Sequence, residues 1–202
     1  DVCSSNLEPG YLRHCGDLDL LIDPADFARA DGAVRGAGYV PSVAYPGLMT
    51  RILGHDAAYD HATAPSVELH VRVHSHFGIR PAAGPFLERA VWQTLSDGYR
   101  VRVLEPADDF VHLTAHATAH FWSKLRWLYD IYLLLERRGE LDWEVVAART
   151  EALRVWPAVL LTCAVLGGEW GVVAPLTRLA PGRYGEMRAL LPRVRRMSWE
   201  GS

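Results

Sequence analysis

The 202-residue sequence predicts an α+β protein: a mixed sheet with flanking helices over residues 1–105, then an all-helical domain over residues 106–202. Three observations predict it. Strand-like and helix-like patterns alternate as far as Pro106. Beyond Pro106 the apolar spacing is helical throughout. Half of the residues are hydrophobic and 22% are charged, an ordinary balance for a chain that buries a real core.

The elements follow in order. Asp17 to Ile22, DLDLLI, reads as a strand. A helix starts near Pro24 and stops at Gly36 or Gly38. Apolar runs at 42–53 and 66–73, with the turn-rich stretch 54–65 between them, predict a hairpin. Residues 84–95 predict a short helix, and 99–106 a strand closed by Pro106. Residues 106–139 predict one long helix with Asp108 and Asp109 in its first turn, where acids suit the helix dipole. Residues 141–153 predict another, with Asp142 as N-cap, and two more apolar helices follow. Val155 to Leu176 is the most apolar stretch. Pro157, Gly167-Gly168 and Glu169 interrupt it, so a buried helix is expected and a membrane span is not.

A formal net charge of −3 supplies no global field for nucleic acid. The three cysteines, Cys3, Cys15 and Cys163, are too few for a disulfide framework, and a reducing cytoplasm is the expected setting.

The chemistry starts at Asp17-Leu18-Asp19. Strand side chains alternate faces, so the two acids point the same way, with Cα atoms about 6–7 Å apart. Leu18 and Leu20 point to the other face and are expected under a helix. Like charges this close repel unless a cation sits between them, and Mg²⁺ suits carboxylates and phosphate oxygens. The second strand offers Glu68, His70, Arg72 and His74 on one face and Leu69, Val71 and Val73 on the other. Laid beside the first, it brings Glu68 to Asp17 and Asp19. Three carboxylates can hold two metal ions about 3.5–4 Å apart for in-line nucleotidyl transfer. The bland alternative is that the aspartates cap a helix or pair with Arg13 and Arg72.

Three segments together carry a resemblance: LRHCGDLDLLI with its Arg13, VELHVRV, and VLEPADDFVHLTAHATAHFWSKLRWLYDI. The chain resembles the nucleotidyltransferase fold of the polymerase-beta type. More narrowly, it resembles a bacterial family of largely uncharacterised nucleotidyltransferases. The resemblance implies a nucleotidyltransferase-type mixed sheet and transfer of a nucleoside monophosphate from an NTP, ATP by default, with pyrophosphate leaving. It implies two Mg²⁺ ions on Asp17 and Asp19, and Glu68 as the third acid, able to activate an acceptor hydroxyl. The acceptor is a small molecule, a peptide or a protein. Members of the narrower family are similar to proteins found beside peptide natural-product genes, which makes a modified peptide the first choice.

The family's glycine-led phosphate cradle corresponds to Val2-Cys3-Ser4, with Ser4 as the candidate phosphate-binding residue. Cys3 stands where the glycine is expected, and Pro9-Gly10 interrupts the helix that should follow. Either the true N-terminus lies upstream or the cradle is degenerate. A degenerate chain would be a binding or scaffold protein of the same fold. A toxin–antitoxin component is a further alternative.

Other polar residues have two readings each. Arg13, Lys124 and Arg126 can neutralise a triphosphate if the long helix closes over the aspartates, placing the site between the two domains. Alternatively, Arg126 pairs with Asp130 and Lys124 faces solvent. His70 and His74 can orient an acid or substrate hydroxyl, or be structural. His112, His116 and His120 share a helical stripe that can bind zinc or hydrogen-bond across a domain interface. His55-Asp56 lies in a turn-rich stretch and is set aside. Trp122, Trp127, Tyr129 and Tyr132 are expected in the core.

Overall fold

The computed structural model describes residues 17–42, 56–73, 81–95, 97–136, 141–172, 174–175 and 179–198. Arg13, Ser4, His74 and most of the apolar run 42–53 lie outside the described residues. The chain divides into two compact units, Asp1–Glu105 and Pro106–Ser202.

The first unit is built on a four-stranded mixed sheet in the order β1-β4-β3-β2. Its strands are β1 (Asp17–Leu21), β2 (Val40–Pro41), β3 (Ala57–Asp60) and β4 (Ser66–His70). β1 runs parallel to β4, while β3 runs antiparallel to both β4 and β2. Parallel neighbours need a long crossover. Here α1 (Phe27–Gly36) lies on that crossover, entered through a 3-10 turn at Pro24–Asp26. Asp23 caps the turn, its carboxylate accepting from the Ala25 amide at 2.8 Å, and Pro24 supplies a preset φ.

Alternation separates the two faces of the sheet. Ala57, Tyr59, Val67 and Leu69 form the buried apolar face. Phe27, Ala30 and Val34 of α1 pack against it at helical spacing, with Ile22 and Tyr39. Full burial of one such large apolar side chain contributes about 1.5–3 kcal/mol. Leu18 and Leu20 share this face by register but stay 42% and 37% exposed. The expectation that a helix covers them fails at this edge, because α1 packs over the inner strands.

Two further expectations are corrected in this unit. The hairpin partner of β4 is Ala57–Asp60, inside the segment expected to be a turn. Ala57 and Tyr59 are fully buried, and His61–Pro65 makes the connection. The predicted helix 84–95 ends early: α2 covers Gly84–Arg89, and β5 (Val91–Thr94) pairs antiparallel with β6 (Arg100–Val103). Ala90 turns extended, with φ −54° and ψ 134°. Val91, Trp92 and Thr94 are β-branched or aromatic and favour a ladder once a partner is near. The loop between these strands closes through Leu95 N–H to Tyr99 O at 2.8 Å, with Gly98 at φ 87°.

The second unit is helical: α3 (Pro106–Ala119), α4 (Leu125–Glu136), α5 (Trp143–Ala152), α6 (Trp156–Glu169) and α7 (Pro181–Ser198). The single helix predicted over 106–139 is two. Phe121 and Trp122 adopt left-handed φ values of 52° and 50°, and the Trp122 amide reaches back to Ala117 O at 2.8 Å. This closes α3 without a glycine, a conformation that costs about 1–2 kcal/mol per residue. Burial of Trp122 offsets the cost. The side chain is 2% exposed and its Nε1 donates to Thr162 Oγ1 at 3.0 Å. Asp142 caps α5 as its position predicts, accepting from the amides of Glu144 and Val145. Among the described residues no helix is long and apolar enough to cross a membrane.

Candidate active site

The face of the sheet opposite α1 carries the polar residues. Register puts Asp19 directly beside Glu68, Asp17 beside Ser66, and Leu21 beside His70. Glu68 in turn faces Ala58 of β3. Asp17, Asp19, Glu68 and His70 therefore share one face, as two-residue alternation predicts.

Among the described residues, Asp19, Glu68 and His70 come together with their ligand atoms within 4.8 Å of one another. His70 Nε2 stands 3.1 Å from Asp19 Oδ1 and 3.4 Å from Glu68 Oε2. Asp17 lies two residues earlier on β1, on the same face.

A fourth acid joins the group. Asp56, just ahead of β3, places its Oδ1 2.8 Å from His70 Nδ1. Carboxylates only accept, so both ring nitrogens of His70 face acceptors. Burial pulls the His70 pKa down. The hydrogen bonds to Asp56 and Glu68 outweigh it and raise the value to about 9. Glu68 moves the other way: the bond from His70 holds its carboxyl below the usual range, against burial. The cluster thus gathers three carboxylates around one imidazolium, an arrangement that attracts a cation.

The donor set fits a divalent metal. Asp19 and Glu68 offer hard oxygens on adjacent strands, and His70 offers a nitrogen at the same point.

Asp56 is the residue that sequence reading set aside. The strand that follows it is four residues long and begins in a segment rich in turn formers. The signal available was His55-Asp56 itself, and pairing with β4 gave it a partner that spacing alone does not show.

The cations and histidines of the second unit are placed as follows. Lys124 and Arg126 both approach the Trp127 ring, at 5.1 and 6.0 Å from its centroid. His116 meets Trp127 edge-on at 5.0 Å, and the ring centroids of His112–His116 and His116–His120 are 6.0 and 4.7 Å apart. Trp122 and Trp127 are buried as expected, while Tyr129 is exposed. Cys163 is fully enclosed, and burial pushes its thiol up to about 12, which removes it as a nucleophile.

Residues 2–167, well over half of the chain, match the family described as uncharacterised nucleotidyltransferases. The chain belongs to that family. Membership makes it a nucleotidyltransferase, an enzyme class that uses a nucleoside triphosphate and a divalent metal. The matched stretch includes β1 with Asp17 and Asp19, β4 with Glu68 and His70, and all of α3 to α5. No curated protein and no solved structure matches the chain.

Proposed function

We propose that this nucleotidyltransferase moves a nucleoside monophosphate from an NTP to an acceptor hydroxyl, with pyrophosphate leaving. The observation that carries the reading is the register of β1 and β4, which sets Asp19 beside Glu68 on the polar face of the sheet. Asp17, Asp19 and Glu68 are the residues that would hold Mg²⁺. When bound, the metal supplies charge neutralisation at the transferring phosphoryl group and at the leaving pyrophosphate.

The chain's own residues do the rest. Asp17 and Asp19 project from one strand on one face, where they would hold the metal beside the triphosphate. Before any metal binds, Glu68 already has its carboxyl held in the charged form by the hydrogen bond from His70. It is therefore ready to accept a hydrogen bond, and then a proton, from an acceptor hydroxyl. ATP is the default donor, and a peptide is the first acceptor class to test. The protein is expected in the cytoplasm.

Thermal unfolding with ATP, GTP, CTP and UTP, each with and without Mg²⁺, tests the donor half of the reading. A ligand at about 100 times its dissociation constant stabilises the native state by about 2.7 kcal/mol. The expected result is a metal-dependent shift with one nucleotide that is absent in Asp17→Asn. No shift with any nucleotide favours the second reading, a catalytically degenerate scaffold. Cys3, in the place of the family's glycine, is the observation that supports that second reading.

A further inference from the structure

The carboxylates account for a metal site, but beyond favouring the charged form of Glu68 they leave His70 no part in it, and Asp56 none. His70 is held on both sides. Its Nδ1 is 2.8 Å from Asp56 Oδ1, and its Nε2 points at Asp19 Oδ1 and Glu68 Oε2, 3.1 and 3.4 Å away. Cis ligands of an octahedral ion bound at about 2.1 Å stand about 3.0 Å apart. The separations from Nε2 to the two carboxylates are already close to that edge length. Nδ1 must carry a hydrogen, because Asp56 can only accept one. A carboxylate on the far nitrogen of an imidazole fixes the ring and raises its basicity toward a metal.

We infer that His70 Nε2 is a ligand to the divalent cation held by Asp19 and Glu68, that Asp56 orients the ring, and that this nitrogen makes the site favour Mn²⁺ over Mg²⁺. The inference rests on the proposed metal role of Asp19 and Glu68 and adds to it. Mg²⁺ prefers an all-oxygen shell and keeps several waters, whereas imidazole suits transition ions. Mn²⁺ combines a tolerance for nitrogen with the octahedral oxygen chemistry that phosphates need. As the cation binds, the proton on Nε2 leaves to solvent and the lone pair it held forms the bond to the metal. Asp56 stays hydrogen-bonded to Nδ1–H and is a positioning residue.

The test uses the full chain and the two metals alone. Mn²⁺ and Mg²⁺ affinities are measured by calorimetry on the wild type, His70→Gln, Asp56→Ala and Asp56→Asn. Electron spin echo modulation of the bound Mn²⁺ then reads whether an imidazole nitrogen is directly coordinated. The expected wild-type spectrum carries that nitrogen coupling, which needs no variant and so does not depend on any substitution folding. His70→Gln should lose the coupling and lower the ratio of Mn²⁺ to Mg²⁺ affinity by about tenfold or more. Asp56→Ala should weaken Mn²⁺ by about tenfold or more, and Asp56→Asn, whose amide oxygen still accepts from Nδ1, should recover most of the loss. Bound Mn²⁺ without nitrogen coupling overturns the inference and leaves the carboxylate reading standing. So does an equal loss of both metals in His70→Gln. If neither ion binds the wild type, both the inference and the carboxylate reading are overturned.

Discussion

Asp19 and Glu68 stand directly opposite each other on two neighbouring parallel strands. Like charges in that position oppose pairing by a few tenths to about 1 kcal/mol, a cost that His70, 3.1 Å from Asp19 and 3.4 Å from Glu68, offsets. Asp19→Asn is therefore expected to keep the fold and change metal-free stability by no more than about 1 kcal/mol. Its turnover should fall by about 10²–10³-fold or more, since charge stabilisation at the phosphoryl group is lost. Pyrophosphate release against each NTP, beside a far-ultraviolet dichroism spectrum, checks both halves. Retained turnover rules out the metal mechanism.

Beneath the sheet, the Tyr59 hydroxyl donates to Asp31 Oδ1 at 2.6 Å and ties β3 to α1. Burial pushes the Asp31 carboxyl up. The Tyr59 hydroxyl and the Arg35 guanidinium outweigh it and leave the group below its ordinary value of 3.8. A carboxyl depressed on folding stabilises the protein above its unfolded pKa, and that contribution disappears as pH falls through the folded value. Urea unfolding between about pH 2 and 5 should show this loss in the wild type and a shallower one in Tyr59→Phe. At neutral pH the same variant should cost about 1.5–3 kcal/mol, the range for a hydrogen bond to a charged group.

In the helical unit, Thr162 Oγ1 is the meeting point of a buried network. It accepts from Trp122 Nε1 at 3.0 Å, lies 2.9 Å from Thr118 Oγ1 and donates to Thr114 O at 3.2 Å. Thr162→Val keeps the shape and removes every one of these bonds. The indole N–H is then buried without its partner, which costs about 1–3 kcal/mol. Chemical denaturation with tryptophan fluorescence measures it, and a loss under about 0.5 kcal/mol would show that the indole finds another acceptor.

Phe121 offers the opposite case. Its backbone is left-handed while its side chain is 58% exposed. Phe121→Gly removes a conformational cost of about 1–2 kcal/mol and adds a chain-entropy cost of about 0.5–1 kcal/mol. The net expectation is a gain of about 0.5 kcal/mol, read from the shift in denaturation midpoint. Trp122→Gly, with the same φ but a buried indole, should instead be strongly destabilising.

How far the sequence carried the reading depended on the range of the determining interaction. Asp19, Glu68 and His70 were legible because two-residue alternation alone assigns a face, and β1 and β4 alternate cleanly. The cap at Asp142 was legible because it acts within three residues. Asp56 was not, because its value comes from register with β4, a property of the paired strands. The end of α3 was hidden for a related reason. His120-Phe121-Trp122 contains no glycine or proline, and burial of an indole against Thr162, 40 residues away, stabilises the left-handed turn. Residues 90–94 read as helix until a partner strand was supplied by 100–103.

The parallel pairing of β1 with β4 has a consequence for how the enzyme comes into being. Asp19 and His70 are 51 residues apart in sequence, and α1, β2 and β3 all intervene. Closing a loop of that length is slow relative to local helix formation, and its entropic cost precedes any reward from contact. On the proposed metal role, a ribosome-bound chain that has not yet delivered Glu68 and His70 would lack two of the ligands, however well α1 has formed. If the proposed site holds a cation, its capture would come late in biogenesis, and a cation added during refolding should accelerate only the last step.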